Sequence, residues 1–244
     1  ALYGHPDAGG MWENHLKGIL KKMNGEEIPE YPGNFYFKGT GLMLSTYVDD
    51  LTLSGPSEHH APFWNQIMSE VNVEPPETIY RILGRNHVYA SFDKVQGEEN
   101  AALGAAPDAL IFDMKDYAQQ TIDLYKSVAK VDKIKPAQTP FIPDGTWSKE
   151  DEDSPGELAP KACSILMKAL WLARLSRPDI LKPINDLATK VQAWTRVHDK
   201  KLLRLIQYLQ YSLDYRLTAS CQDDAKDLRL ELYVDADFGG DSGD

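Results

Sequence analysis

The residues best suited to chemistry in this 244-residue chain are two adjacent carboxylates, Asp49 and Asp50, in the run Tyr47-Val48-Asp49-Asp50. Ionised carboxylates are hard oxygen donors, and either can hold a divalent cation such as Mg2+. Two negative charges side by side repel, and a bound cation relieves that repulsion. Leu42–Leu44 leads into the pair and Leu51–Leu53 leads out, so the pattern predicts a β-hairpin with both aspartates at its tip. The plain alternative is a polar turn, because Asp is common in turns. No glycine sits in this one.

Other groups carry weaker signals. His59 and His60 follow the hairpin, but no HExxH pattern is present, and the histidines read as solvent-exposed or helix-start residues. The acidic run Glu150–Asp153 reads as solvated linker. Trp147, Trp171 and Trp194 have faces on which bases could stack, although Trp171 and Trp194 fall on apolar helical stripes and are expected in a core. Cys163 and Cys221 form no CxxC pair, which argues against a disulfide scaffold or a structural zinc site.

The net charge of −11 argues at face value against a polyanion partner. The charge is segregated, however. Residues 161–218 hold eleven basic and four acidic side chains, a net of +7. Within that block Lys200, Lys201 and Arg204 lie within about one helical turn and could reach one phosphate strand. Ordinary solubilising charge on an amphipathic helix explains them equally well.

The elements that must position these groups are legible in outline. Ala8–Met23 has helical apolar spacing, and Asn24-Gly25 marks a turn. Phe35–Phe37 and Leu42–Tyr47 read as strands, with Leu51–Leu53 resuming before Gly55-Pro56. Ala61–Val71 reads as a short helix. Ile79–Leu83 and His87–Phe92 read as a second hairpin around Gly84, and 93–107 as a surface loop. Met114–Val128, Lys161–Ser176, Ile184–Ala193 and His198–Ser212 read as helices. Residues 136–160 are rich in proline and acidic side chains and read as a linker. Leu228–Val234 alternates like a strand. The expected class is α+β: antiparallel hairpins with helices, then a mainly helical region, then a stray strand. No apolar run is long enough to span a membrane. Both ends read as cuts through a longer polypeptide.

Taken together and in order, these segments resemble the reverse transcriptase of copia-type LTR retrotransposons. Ala1-Leu2-Tyr3-Gly4 followed by Trp12 is similar to that family's ALYGLKQAPRAW segment, and Tyr47–Gly55, YVDDLTLSG, to its YVDDLLLSG. Ile82-Leu83-Gly84 resembles FLG, and Phe112–Leu124 resembles the YIEDLL helix. Thr139-Pro140 resembles the family's TP, and Arg177-Pro178-Asp179-Ile180 resembles TRPDI. His198, Arg204 and Tyr208-Leu209 resemble the HWxxxKRILRYL helix. Leu232–Gly240, LYVDADFGG, resembles GYSDADWAG, where ribonuclease H begins.

The resemblance implies nucleotidyl transfer to a primer 3′-hydroxyl by two Mg2+ ions, with Asp49 and Asp50 as two of three catalytic aspartates. It places the third aspartate and the fingers before Ala1. It sets Tyr47 and Val48 beside the primer terminus, Tyr3 and Gly4 under the template and incoming nucleotide, and Leu83 and Gly84 in a primer-gripping hairpin. Asp235 becomes the first metal ligand of ribonuclease H. The implied partners are an RNA/DNA primer–template, dNTPs and the rest of a polyprotein. The implied location is intracellular, in cytoplasm or a virus-like particle.

The implied divisions are a late palm at 1–92, a loop and thumb-like helix at 93–135, the linker at 136–160, a helical connection at 161–218 and the start of ribonuclease H at 219–244. The sequence departs from the family at 5–10, where Pro6, Asp7 and Gly9 replace its Lys, Gln and Pro. That departure keeps open a non-catalytic nucleic-acid-binding or structural module derived from a decayed element. A divalent-metal phosphodiesterase using Asp49, Asp50 and Asp235 is a third reading. The isolated chain is expected to be inactive.

Overall fold

The computed structural model describes residues 4–90, 109–143, 145–221, 223 and 226–234. The chain divides into two compact units, Ala1–Ile82 and Leu83–Asp244.

The first unit is built on one antiparallel sheet in the order β1-β2-β3-β4. Its strands are β1 (Glu26–Glu27), β2 (Asn34–Phe37), β3 (Leu42–Tyr47) and β4 (Asp50–Ser54). Alternation sorts the side chains into two faces. Phe35, Phe37, Leu42 and Leu44 point to one side, where they meet Leu16, Ile19 and Leu20 of helix α1 (Ala8–Lys22) and Phe63 and Ile67 of α2 (His60–Glu70). Full burial of each such side chain is worth about 1.5–3 kcal/mol. Phe37 and Phe63 lock edge to face at 4.9 Å. On the other face the register aligns Tyr36 with Met43, Ser45 with Thr52 and Tyr47 with Asp50. A two-residue strand, β5 (Arg81–Ile82), ends this unit.

The second unit begins with a turn in which Leu83 and Gly84 both take positive φ, the type I′ pattern of a two-residue hairpin. Strands β6 (Arg85–Ala90), β7 (Ala109–Asp113) and β8 (Leu217–Ser220) then pair antiparallel in that order. The core lies among helices α3 (Lys115–Ala129), α5 (Ala159–Leu175), α6 (Leu181–Thr189) and α7 (Arg196–Tyr211). Ile122, Ile165, Leu166, Leu172, Ile184 and Leu202 are fully enclosed there. Trp171 packs against this core from α5, as its helical spacing predicts. Trp194 is buried in it as expected, but from an extended position just before α7 rather than from a helix.

The class is α+β, as expected from the sequence. Several details differ, among them the unexpected strand β7 and a helix α6 that ends at Thr189 rather than Ala193. The expected linker contains a short helix, α4 (Lys149–Asp153), started by a capping box between Ser148 and Asp151. Residues 228–234 form no strand, and Leu230, Leu232, Tyr233 and Val234 stand almost fully exposed. Alternation made that segment competent to pair, but it pairs with none of the described strands. Leu217–Ser220, which carries no strong apolar pattern, forms the strand instead because it follows the edge of β7. His87 is buried rather than exposed or at a helix start. It lies edge to face with Phe112 and accepts a hydrogen bond from Arg85 Nε. The expected surface loop at 93–107 lies outside the described residues.

Candidate functional site

The hairpin tip is built by the register of β3 and β4. Tyr47 pairs with Asp50, which leaves Val48 and Asp49 as a two-residue turn. Val48 takes φ +56. A β-branched residue in that region is an outlier whose strain is worth about 1–3 kcal/mol, so the surrounding structure must hold it there. The holding contact comes from α1, where the Trp12 indole N–H donates to the Val48 carbonyl oxygen at 2.6 Å. All four residues of the tip are exposed, with Val48 at 67%.

Among the described residues, neither Asp49 nor Asp50 has a hydrogen-bond or ion-pair partner for its carboxylate. Both therefore keep their lone pairs for a ligand. The donor type suits Mg2+. The donor number does not complete a site: among the described residues no group of three or more His, Cys, Asp or Glu could hold a metal ion. A cation held here would need a further ligand from beyond these residues.

The other sequence-derived candidates fall in several places. Gly4 is exposed with φ +89, a conformation suited to glycine. Tyr3 and Asp235 lie outside the described residues. Leu83 and Gly84 form the type I′ turn, and the Leu83 carbonyl oxygen accepts from the Trp171 indole at 3.3 Å. Lys200, Lys201 and Arg204 do share one face of α7, but each already has a partner from the 136–160 segment. Lys200 pairs with Asp151 at 2.6 Å. Lys201 lies over the Trp147 ring at 4.9 Å. Arg204 donates to the Thr139 carbonyl oxygen at 2.9 Å and to its hydroxyl at 3.0 Å. The Lys200 ammonium, helped by the Ser148 backbone N–H, holds the Asp151 carboxyl down at about 2. Nucleic acid tracking this face would compete with the linker for these cations.

Two features escaped the sequence. Trp12 matched a family segment, but nothing in its spacing indicated a bond to a turn 36 residues away. Arg177 and Asp179 matched a motif without a role. In the structure Arg177 is buried and donates to both carboxylate oxygens of Asp179, at 2.9 and 2.7 Å, and to the Ser212 carbonyl and hydroxyl oxygens, at 2.9 and 2.6 Å. The Tyr208 hydroxyl donates to the same Asp179 at 2.8 Å. This network ties the end of α5 to the end of α7.

No family model matches the chain, and no solved structure matches it. The chain is similar to a transposon Ty5-1 protein of Saccharomyces cerevisiae. The two are 23% identical over 245 residues, covering 98% of this chain and 71% of that protein. That likeness runs through both units and relates the chain to transposon-encoded sequences.

Proposed function

We propose that the chain is part of an RNA-directed DNA polymerase of a copia-type retrotransposon polyprotein. The observation that carries this reading is the Tyr47–Asp50 hairpin, which presents two unpartnered carboxylates at an exposed, strained turn. The similarity to a transposon protein along nearly the whole chain supports it. In this reading residues 1–92 are the later part of the palm, 93–135 a loop and thumb-like helix, 161–218 a connection and 219–244 the start of ribonuclease H.

The chemistry would be nucleotidyl transfer. Asp49 and Asp50, with a further ligand from beyond the described residues, would hold Mg2+, and the metal when bound would supply activation of the primer 3′-hydroxyl and charge stabilisation of the leaving pyrophosphate. The exposed Tyr47 and Val48 side chains would lie against the primer end. Lys200, Lys201 and Arg204 would track the duplex backbone after releasing their linker contacts. With two carboxylates at the site, the isolated chain should extend no primer.

The test is primer extension by the full-length parent polymerase. Asp49→Asn preserves shape and removes the charge. It should reduce synthesis by at least about a thousandfold while leaving thermal unfolding unchanged. Synthesis within tenfold of the parent would refute the assignment.

A further inference from the structure

The Trp12–Val48 contact bears on the direction of the Asp49 side chain. The oxygen that Trp12 holds belongs to the peptide unit joining Val48 to Asp49, the middle peptide of the turn. Two-residue hairpin turns come in two forms that differ by a flip of this peptide. Type I′ has positive φ at both central residues, and type II′ only at the first. Here Val48 has φ +56 and Asp49 is not in the positive region, so the turn has the φ signs of type II′ rather than of type I′. Type II′ ordinarily has glycine at its first position. Valine removes that freedom, and no other side chain among the described residues hydrogen-bonds to residues 47–50. The donor itself is well anchored. Trp12 packs against the core of the first unit, one helical turn before the buried Leu16.

We infer that Trp12 is a positioning residue for Asp49. Its indole N–H holds the Val48–Asp49 peptide in one of two orientations and so fixes the direction in which the Asp49 carboxylate leaves the turn. The catalytic consequence rests on the polymerase reading, whereas the geometric claim does not.

Two measurements test it. The first uses the wild-type chain and Trp12→Phe, with 15N-labelled backbone and indole groups. The Trp12 indole N–H should exchange at least about tenfold more slowly than a free indole, and Trp12→Phe should displace the amide resonances of Val48 and Asp49. Free-rate exchange, or unmoved Asp49 resonances, overturns the inference, and the exchange measurement needs no variant to fold.

The second uses the full-length parent polymerase. Trp12→Phe should lower kcat about tenfold and leave KM for the nucleotide within about twofold. In a Val48→Gly background, where the turn needs no external hold, the same change should cost no more than about twofold. An equal loss in both backgrounds indicates a merely structural tryptophan and overturns the inference. If Asp49→Asn leaves synthesis intact, the polymerase reading fails by itself, and the resonance measurement still decides the geometry.

Discussion

Replacing Asp179 by Asn tests whether the Arg177 network holds the second unit together. The substitution keeps the shape and removes the charge. One of the two oxygens becomes an amide NH2 that faces donors. Arg177 Nε now uses one oxygen, while Arg177 Nη2 and the Tyr208 hydroxyl share the other. Losing either oxygen leaves a donor opposed by a donor. Breaking a fully buried ion pair costs about 3–5 kcal/mol, and breaking an exposed one about 0–1. Here the Arg177 side chain is 4% exposed but that of Asp179 is 35% exposed, so solvent screens one end. An intermediate loss of about 2 kcal/mol is expected.

The pH dependence sharpens this prediction. Burial raises the Asp179 carboxyl, but the hydrogen bonds and charge of Arg177, with Tyr208, outweigh it, and the net shift is downward. A carboxyl whose folded pKa lies below its unfolded value of about 3.9 stabilises the fold fully above that value. The stabilisation is lost as pH falls through the folded value. The wild-type advantage over Asp179→Asn should therefore be constant above about pH 5 and shrink between pH 5 and pH 3. Urea unfolding followed by tryptophan fluorescence, to which the buried Trp194 of the second unit contributes, reads this out. With a urea slope of about 2 kcal/mol/M, the midpoint should drop by about 1 M at pH 7. A drop under about 0.25 M, or one that does not shrink on acidification, would refute the reasoning.

Two further outcomes are expected. Gly55 takes φ +128, and a Cβ there would meet the Gly41 carbonyl oxygen at 2.8 Å and Leu42 Cα at 3.1 Å, so Gly55→Ala should destabilise the first unit by about 2 kcal/mol or more in thermal or urea unfolding. An unchanged midpoint would show that the end of β4 relaxes freely. If α7 tracks phosphates, changing Lys200, Lys201 and Arg204 together to Glu in the parent polymerase should weaken primer–template binding and flatten the log–log salt slope by about 2–3. An unaltered slope would assign these residues to the linker contacts alone.

Much of the framework was open to inspection in the residues themselves. Periodicity placed α1, α2, α3, α5 and α7 and the strands of the Tyr47–Asp50 hairpin within a few residues of their observed ends. It does so because local apolar spacing decides which face each element can bury. The adjacent carboxylates of Asp49 and Asp50 and their place at a hairpin tip were equally apparent. What depended on partners distant in the chain was not. Leu228–Val234 alternates like a strand yet pairs with nothing among the described residues, while Leu217–Ser220 pairs because β7 offers it an edge. The basic stripe on α7 looked free until Asp151, Trp147 and Thr139 folded onto it. The positive φ of Val48 and its hold by Trp12 follow from the packing of α1 beneath the sheet. Residue type and spacing determined which groups could bind a cation. Only the tertiary structure decided which of them stay unpartnered and which way their backbone turns, because hydrogen bonds between distant segments have no periodic signature in the chain.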